Sequence, residues 1–178
     1  MKLDAAKNGF TMVELVITIS ILSFGIIGLY SAFLPLFGLT NNISNRFTAS
    51  YLAQDAFETV RNLRDNNFIA SFSYSNGLLG CDEGVGGCEL DYKTGTTAEG
   101  PEDVLQLYGQ GRFLRISPDN FYGYSIDPSS KETVFKRKIT ITEEEDNVAM
   151  KVLVEVFWNH NNKSYEFETE GYLYNWNE

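Results

Sequence analysis

The stretch "NGFTMVELVITISILSFGIIGLYSAFLPLFGLTNNISNR", residues 8–46, decides how the rest of the chain is read. Between Glu14 and Arg46 no residue is charged, and most are apolar. A hydrocarbon core of ~30 Å takes about 20 helical residues to cross. Leu15 to Leu39 supplies 25, enough to span. A carboxylate at the entrance to such a segment is costly unless it is protonated or paired. Glu14 therefore calls for a partner.

Composition narrows the classes. The chain has 178 residues and a formal charge of −10. Lys2 and Lys7 against Asp4 give the first nine residues +1, so the chain from Phe10 onward carries −10 − 1 = −11. That acidity argues against a broad nucleic-acid footprint, which needs clustered Lys and Arg. A local basic patch at Lys136–Arg137–Lys138 is the one exception to weigh. The 13 Phe, 10 Tyr and 2 Trp supply enough core-forming residues for a folded chain. One His and two Cys leave little for a metal or nucleophile constellation, and no nucleophile–base–orienter set or phosphate loop emerges. An enzyme is disfavoured, with no cofactor and no metal expected.

Three readings compete for the head of the chain. A secretory signal peptide fits poorly, because the apolar run exceeds the usual 7–15 residues and Tyr30-Ser31-Ala32 is a weak cleavage triplet. An ordinary single-pass anchor accounts for the span and for Lys2 and Lys7 on the cytoplasmic side, but leaves Gly9 and Glu14 unexplained. The third reading explains both. Gly9-Phe10-Thr11-Met12-Val13-Glu14-Leu15 resembles the type IV prepilin motif shared by type IV pili, type II secretion pseudopilins and competence pseudopili. The resemblance implies cutting by a prepilin peptidase between Gly9 and Phe10, N-methylation of Phe10, and use of Phe10 and Glu14 in filament assembly. The chemistry is coherent. Cleavage exposes an α-amino group at Phe10, about one helical turn from Glu14. If the amine belongs to a neighbouring subunit, an ammonium–carboxylate pair offsets part of the desolvation of each and sets the stagger between them. Gly9, lacking Cβ, lets a protease approach the backbone.

From Phe10 to about Asn67 only Pro35 interrupts the helical pattern, so a helix of roughly 85 Å with a kink at Pro35 is expected. Gly25 and Gly28 are weaker points, and Gly28 with Ala32 forms a small-xxx-small pair. Past Arg46, Ala49, Ala53, Ala56, Val60 and Leu63 mark one apolar stripe, with Asp55, Glu58, Arg61, Arg64 and Asp65 off it and Arg61–Asp65 spaced for an i,i+4 pair. Residues 68–130 are hard to read. "VLQLY" (104–108) and "RFLRI" (112–116) could be strands. Cys81 and Cys88 flank a Gly-rich loop and suit a disulfide if the region is exported, whereas two thiols without a nearby His make a poor zinc site.

The last third alternates with period two. One face of 134–141 carries Phe135, Ile139 and Ile141, and one face of 148–158 carries Val148, Met150, Val152, Val154, Val156 and Trp158. In 164–176, Tyr165 and Phe167 alternate with Glu166, Glu168 and Glu170. "EEEDN" (143–147) and "NHNNK" (159–163) read as turns, and His160 as solvated. After Gly171 the aromatics change parity, which suggests a glycine bulge that re-aims Tyr172, Tyr174 and Trp176.

The expected fold is α+β, a pilin-like lollipop. Residues 1–9 form a leader, 10–40 the transmembrane and assembly helix, 41–67 its amphipathic continuation, and 68–178 a head with strands near 134–142, 148–158 and 164–176. By resemblance the chain is a structural subunit, minor rather than major, of a type IV pilus or a pilus-like type II secretion or competence filament. Its partners would be a prepilin peptidase, other pilin or pseudopilin subunits and the membrane, with direct nucleic-acid binding not expected. It would lie in the cytoplasmic (inner) membrane with its head outside, then in an extracellular or periplasmic filament. The alternative is a membrane-anchored extracellular binding domain that never polymerises.

Overall fold

The computed structural model describes residue 9 and residues 11–96, 104–145 and 147–176, with backbone alone at 35–41 and 145. Residues 1–8 of the expected leader 1–9, Phe10 and Asp146 therefore lie outside the described residues. The fold is α+β, with one long helix, α1 (Met12–Ile69), and antiparallel strands. The chain divides into two compact units at Ser44/Asn45, so α1 contributes to both. Its backbone is assigned as helix through Pro35.

The second unit is built on a five-stranded sheet. Its strands are β1 (Cys88–Glu89), β2 (Gln106–Leu107), β6 (Phe135–Glu145), β7 (Ala149–His160) and β8 (Lys163–Tyr174), in the order β2-β1-β6-β7-β8. The smaller strands β3 (Arg115–Ile116), β4 (Tyr122–Gly123) and β5 (Lys131–Glu132) pair as β4-β3-β5. Every pairing is antiparallel.

The β6-β7-β8 meander follows the period-two pattern. Ile139, Ile141, Met150, Val152, Val154 and Val156 are fully buried on one face. Val148 is not part of that face: it precedes β7 and stays exposed. Phe135, Trp158 and Tyr165 lie directly opposite one another across three strands, their rings 6.0 and 5.6 Å apart, a cross-strand ladder of the kind that stabilises sheets. Against this face pack Ala49, Leu52, Ala53, Ala56 and Val60 of α1, all buried in the same core, with Leu63 partly buried beside them. Four small or β-branched residues at helical spacing let the helix come close to the sheet.

Turn chemistry fixes the register. The β7–β8 hairpin closes on Asn161-Asn162, both at positive φ (50° and 58°), the conformation a two-residue primed turn requires and that Asn tolerates. At the other end, β6 extends through Glu145 with a register shift between Glu143 and Glu145. The acidic run 143–145 is thus bulged strand rather than turn, because Glu143 is still paired to Met150 and its carboxylate accepts the Asn147 N–H at 3.0 Å.

The expected bulge after Gly171 is absent. The β7–β8 ladder runs unbroken from His160↔Lys163 to Ala149↔Tyr174, with Gly171 opposite Val152. Leu173 continues the buried face, and Tyr172, Tyr174 and Trp176 are exposed. The glycine has a different reason. A Cβ there would stand 2.6 Å from Phe57 Cζ, so Gly171 makes room for a ring carried on α1.

Candidate functional site

In the first unit, α1 begins with a capping arrangement. Thr11 precedes the helix, and its hydroxyl accepts the Glu14 N–H at 3.2 Å. Thr-x-x-Glu is the sequence of a capping box, and it places Glu14 in the first turn, where the helix end favours an acid. The segment Met12–Leu34, 23 residues at mean hydropathy 2.2, has none of its residues buried within the chain. Its apolar side chains, Leu15, Ile21, Leu22, Phe24, Ile27 and Leu29 among them, are all more than half exposed. Three hydroxyls of this segment are satisfied internally: Thr18 donates to Glu14 O, Ser20 to Val16 O at 2.8 Å and Ser23 to Ile19 O at 2.7 Å. Back-bonded in this way, these three side chains present no unpaired donor to an apolar surrounding. The length, hydropathy and exposure fit a single-pass membrane anchor.

Gly9 lies just ahead of the cap. Its φ is not in the left-handed region, and a Cβ added to it would meet nothing within 4 Å. The chain's own fold therefore makes no demand for glycine at this position, and any such demand comes from a molecule that approaches it. Phe10, the residue paired with Glu14 in the sequence reading, is outside the described residues. Pro35 lies on the helical backbone, and Gly25 and Gly28 face open space.

In the second unit the basic triplet 136–138 does not form a surface patch. Strand parity turns Arg137 inward, where it is 0% exposed, while Lys136 and Lys138 point the other way. The Arg137 guanidinium donates to Leu52 O (2.9 Å) and the Asp55 carboxylate (2.7 Å) on α1, and to Leu90 O (2.9 Å). It thereby ties the helix, the sheet and the segment after β1 together. Arg64, read as off the stripe, is also buried. It bonds Asp65 at 2.8 Å and Tyr174 O at 3.1 Å, and Arg61 pairs with Glu58 at 2.6 Å rather than with Asp65.

Cys81 and Cys88 form a disulfide, both 2% exposed, across a 3-10 turn (Glu83–Val85) capped by the Asp82 side chain. Gly87, φ +80°, approaches Ile139 O so closely that a Cβ would stand at 2.8 Å. Beyond β1, a cleft of about 280 Å³ is lined by Glu89, Asp91, Arg112 and Tyr124 among others. Its carboxylates serve the fold: Glu89 accepts both the N–H and Nε–H of Arg112 (2.6 Å each), and Asp91 accepts Tyr124 N at 2.6 Å and Lys93 N at 3.0 Å. Burial pushes the Tyr124 hydroxyl well above its ordinary pKa, and Arg112 stacks 4.3 Å over its ring. Among the described residues no group of three His, Cys, Asp or Glu side chains could hold a metal ion.

Residues 4–30 match the family described as the prokaryotic N-terminal methylation motif, the signal of the type IV pilin class. The match covers Gly9, Phe10, Glu14 and most of the exposed apolar helix. No curated protein and no solved structure matches the chain. The motif points to a pilin-like, structural protein of the kind processed by prepilin peptidase.

Proposed function

We propose that this chain is a filament subunit, a minor pilin of a type IV pilus or of a pilus-like type II secretion or competence apparatus. The observation that carries the reading is the methylation motif at 4–30 set on a 23-residue apolar segment of which the chain itself buries no residue. Such a helix needs a cover. Lipid provides it first, and the helices of other subunits provide it after assembly.

Prepilin peptidase cuts between Gly9 and Phe10, the new amine is methylated, and the Phe10 amine of one subunit meets Glu14 of its neighbour as the subunits stack. Before assembly the chain sits in the inner membrane with its head outside. Thr11 serves this scheme by occupying the Glu14 N–H, which caps the helix without the Glu14 carboxylate. The head acts as a scaffold and carries no reaction of its own.

The test is the mass of the N-terminal peptide after co-expression with an active prepilin peptidase. N-methylated Phe10 as the first residue is the expected outcome. A chain that keeps residues 1–9 under those conditions refutes the proposal. Gly9→Ala supplies the control, since the fold tolerates a methyl group there and the variant should fail only in cleavage.

A further inference from the structure

A groove of about 300 Å³ lies in the second unit between α1 and the β3–β4 hairpin. One wall is Tyr51 and Asp55, one helical turn apart on α1, and the other is Tyr92, Asn120, Phe121 and Tyr122. The aromatic wall is built rather than incidental. Tyr92 and Phe121 stack at 5.1 Å with their planes 14° apart, and Phe121 still exposes 55% of its surface. Its loop is fixed by Phe121 N donating to the Ser117 hydroxyl and Ser117 N to Phe121 O, around Asn120 at positive φ (66°). Tyr51 across the groove is 67% exposed. Exposed rings facing one another over a few polar groups are the composition of a small-molecule site.

The polar group decides the ligand. Asp55 is half-exposed on the groove wall, yet the fully buried Arg137 guanidinium holds it through Oδ2 at 2.7 Å. Its orientation is fixed and its charge compensated. A cation therefore gains little from it, and an anion finds no Lys or Arg side chain among the residues that line the groove. What remains is a rigid hydrogen-bond acceptor beside the Asn120 amide, between aromatic faces. A ligand that matches is neutral, rich in hydroxyls and flat on one apolar side. We propose that this groove is a binding site for a neutral pyranose, with one sugar face on Phe121 and Tyr51 and its hydroxyls on Asp55 and Asn120. The inference rests on the head alone and does not depend on the filament reading.

The test uses the full chain in lipid nanodiscs, labelled with fluorotyrosine and observed by ¹⁹F NMR, with Tyr51, Tyr92 and Tyr122 assigned through single Phe variants. Methyl glucoside, galactoside, mannoside and N-acetylglucosaminide are titrated to 50 mM. At least one should move these three resonances in a saturable way, leaving the exposed Tyr172 and Tyr174 unmoved. Phe121→Ala should weaken that binding at least tenfold, and Asn120→Gly, which removes the amide and tolerates the positive φ, about threefold. Retained signals from the buried Tyr74 and Tyr124 show that each variant is folded. The proposal is overturned if none of the four sugars moves the groove resonances, or if choline moves them more strongly than any sugar. It is equally overturned if they shift with protein concentration alone, which would make the groove a contact between copies.

Discussion

Asp55→Ala isolates the charge pair that joins α1 to the sheet. Arg137 is 0% exposed and Asp55 half-exposed, with 2.7 Å between them. At ~3 Å, Coulomb's law gives about 5–6 kcal/mol at an effective dielectric of ~20 and about 1.4 kcal/mol in water. Removing one partner of a fully buried pair typically costs about 3–5 kcal/mol. Solvent reaches the Asp55 side and screens it, which brings the expected loss to about 2–3 kcal/mol. Arg137→Met behaves differently, because it removes the buried charge and leaves Asp55 in water. It should cost about 1 kcal/mol, chiefly for the hydrogen bonds to Leu52 O and Leu90 O. The double variant should then be more stable than Asp55→Ala alone. The assay is urea unfolding of the full chain in nanodiscs, read by the fluorescence of Trp158, a buried core residue. Additive losses in the double variant, or an Asp55→Ala midpoint equal to wild type, would refute the argument that the buried charge drives the cost.

Three further outcomes follow from the head. Gly87→Ala should destabilise by about 3 kcal/mol, combining a left-handed φ unsuited to a side chain with a Cβ forced against the Ile139 carbonyl, and the urea midpoint measures it. Reducing the Cys81–Cys88 bond, seven positions apart, should lower stability by about 2.5 kcal/mol from loop entropy, seen as a midpoint shift with a phosphine reductant. At alkaline pH the folded Tyr124 keeps its proton after the unfolded chain has begun to lose it near the ordinary pKa of 10.0, so the unfolded state binds fewer protons and stability falls as pH rises above ~10. Tyr124→Phe should flatten that fall in a pH series of unfolding midpoints.

How much of this was legible in the sequence depends on periodicity and length. The meander strands run 11 or 12 residues, long enough for alternation to show, and their boundaries fall within three residues of expectation. The alternation also carried Arg137 inward, between Phe135 and Ile139, and only the habit of reading adjacent Lys and Arg as a surface patch hid it. Gly171 misled for a related reason. Two exposed tyrosines after a glycine look like a phase change, yet Leu173 keeps the original face and the glycine answers to Phe57 on a helix more than a hundred residues earlier. Residues 68–130 resisted because their strands are two residues long and leave no period to find. Side chains hold that region instead: Arg115 on Ser130 O, Thr133 on Leu114 O, and Glu89 on the backbone of Arg112. The groove of Tyr51, Tyr92 and Phe121 could not be assembled from sequence for the same reason, since its walls come from three separated segments.

The two units place opposite demands on their surroundings, and that contrast bears on why the motif is read as an assembly signal. In the second unit the chain supplies its own partners. Arg137, Arg64, Glu89 and Asp91 are buried charges, and each is bonded within the unit. In the first, the Thr18, Ser20 and Ser23 hydroxyls bond back to the helix and Thr11 caps the Glu14 N–H, while none of the residues of the apolar segment is buried in the chain. A soluble helix does the reverse, covering its apolar stripe and leaving polar groups to water. A plain anchor would also show this inversion, and the helix end alone favours an acid at Glu14, but it has no use for Gly9, which the fold does not require. Under the filament proposal both residues acquire a reason from other molecules, a peptidase at Gly9 and a neighbouring subunit at Glu14.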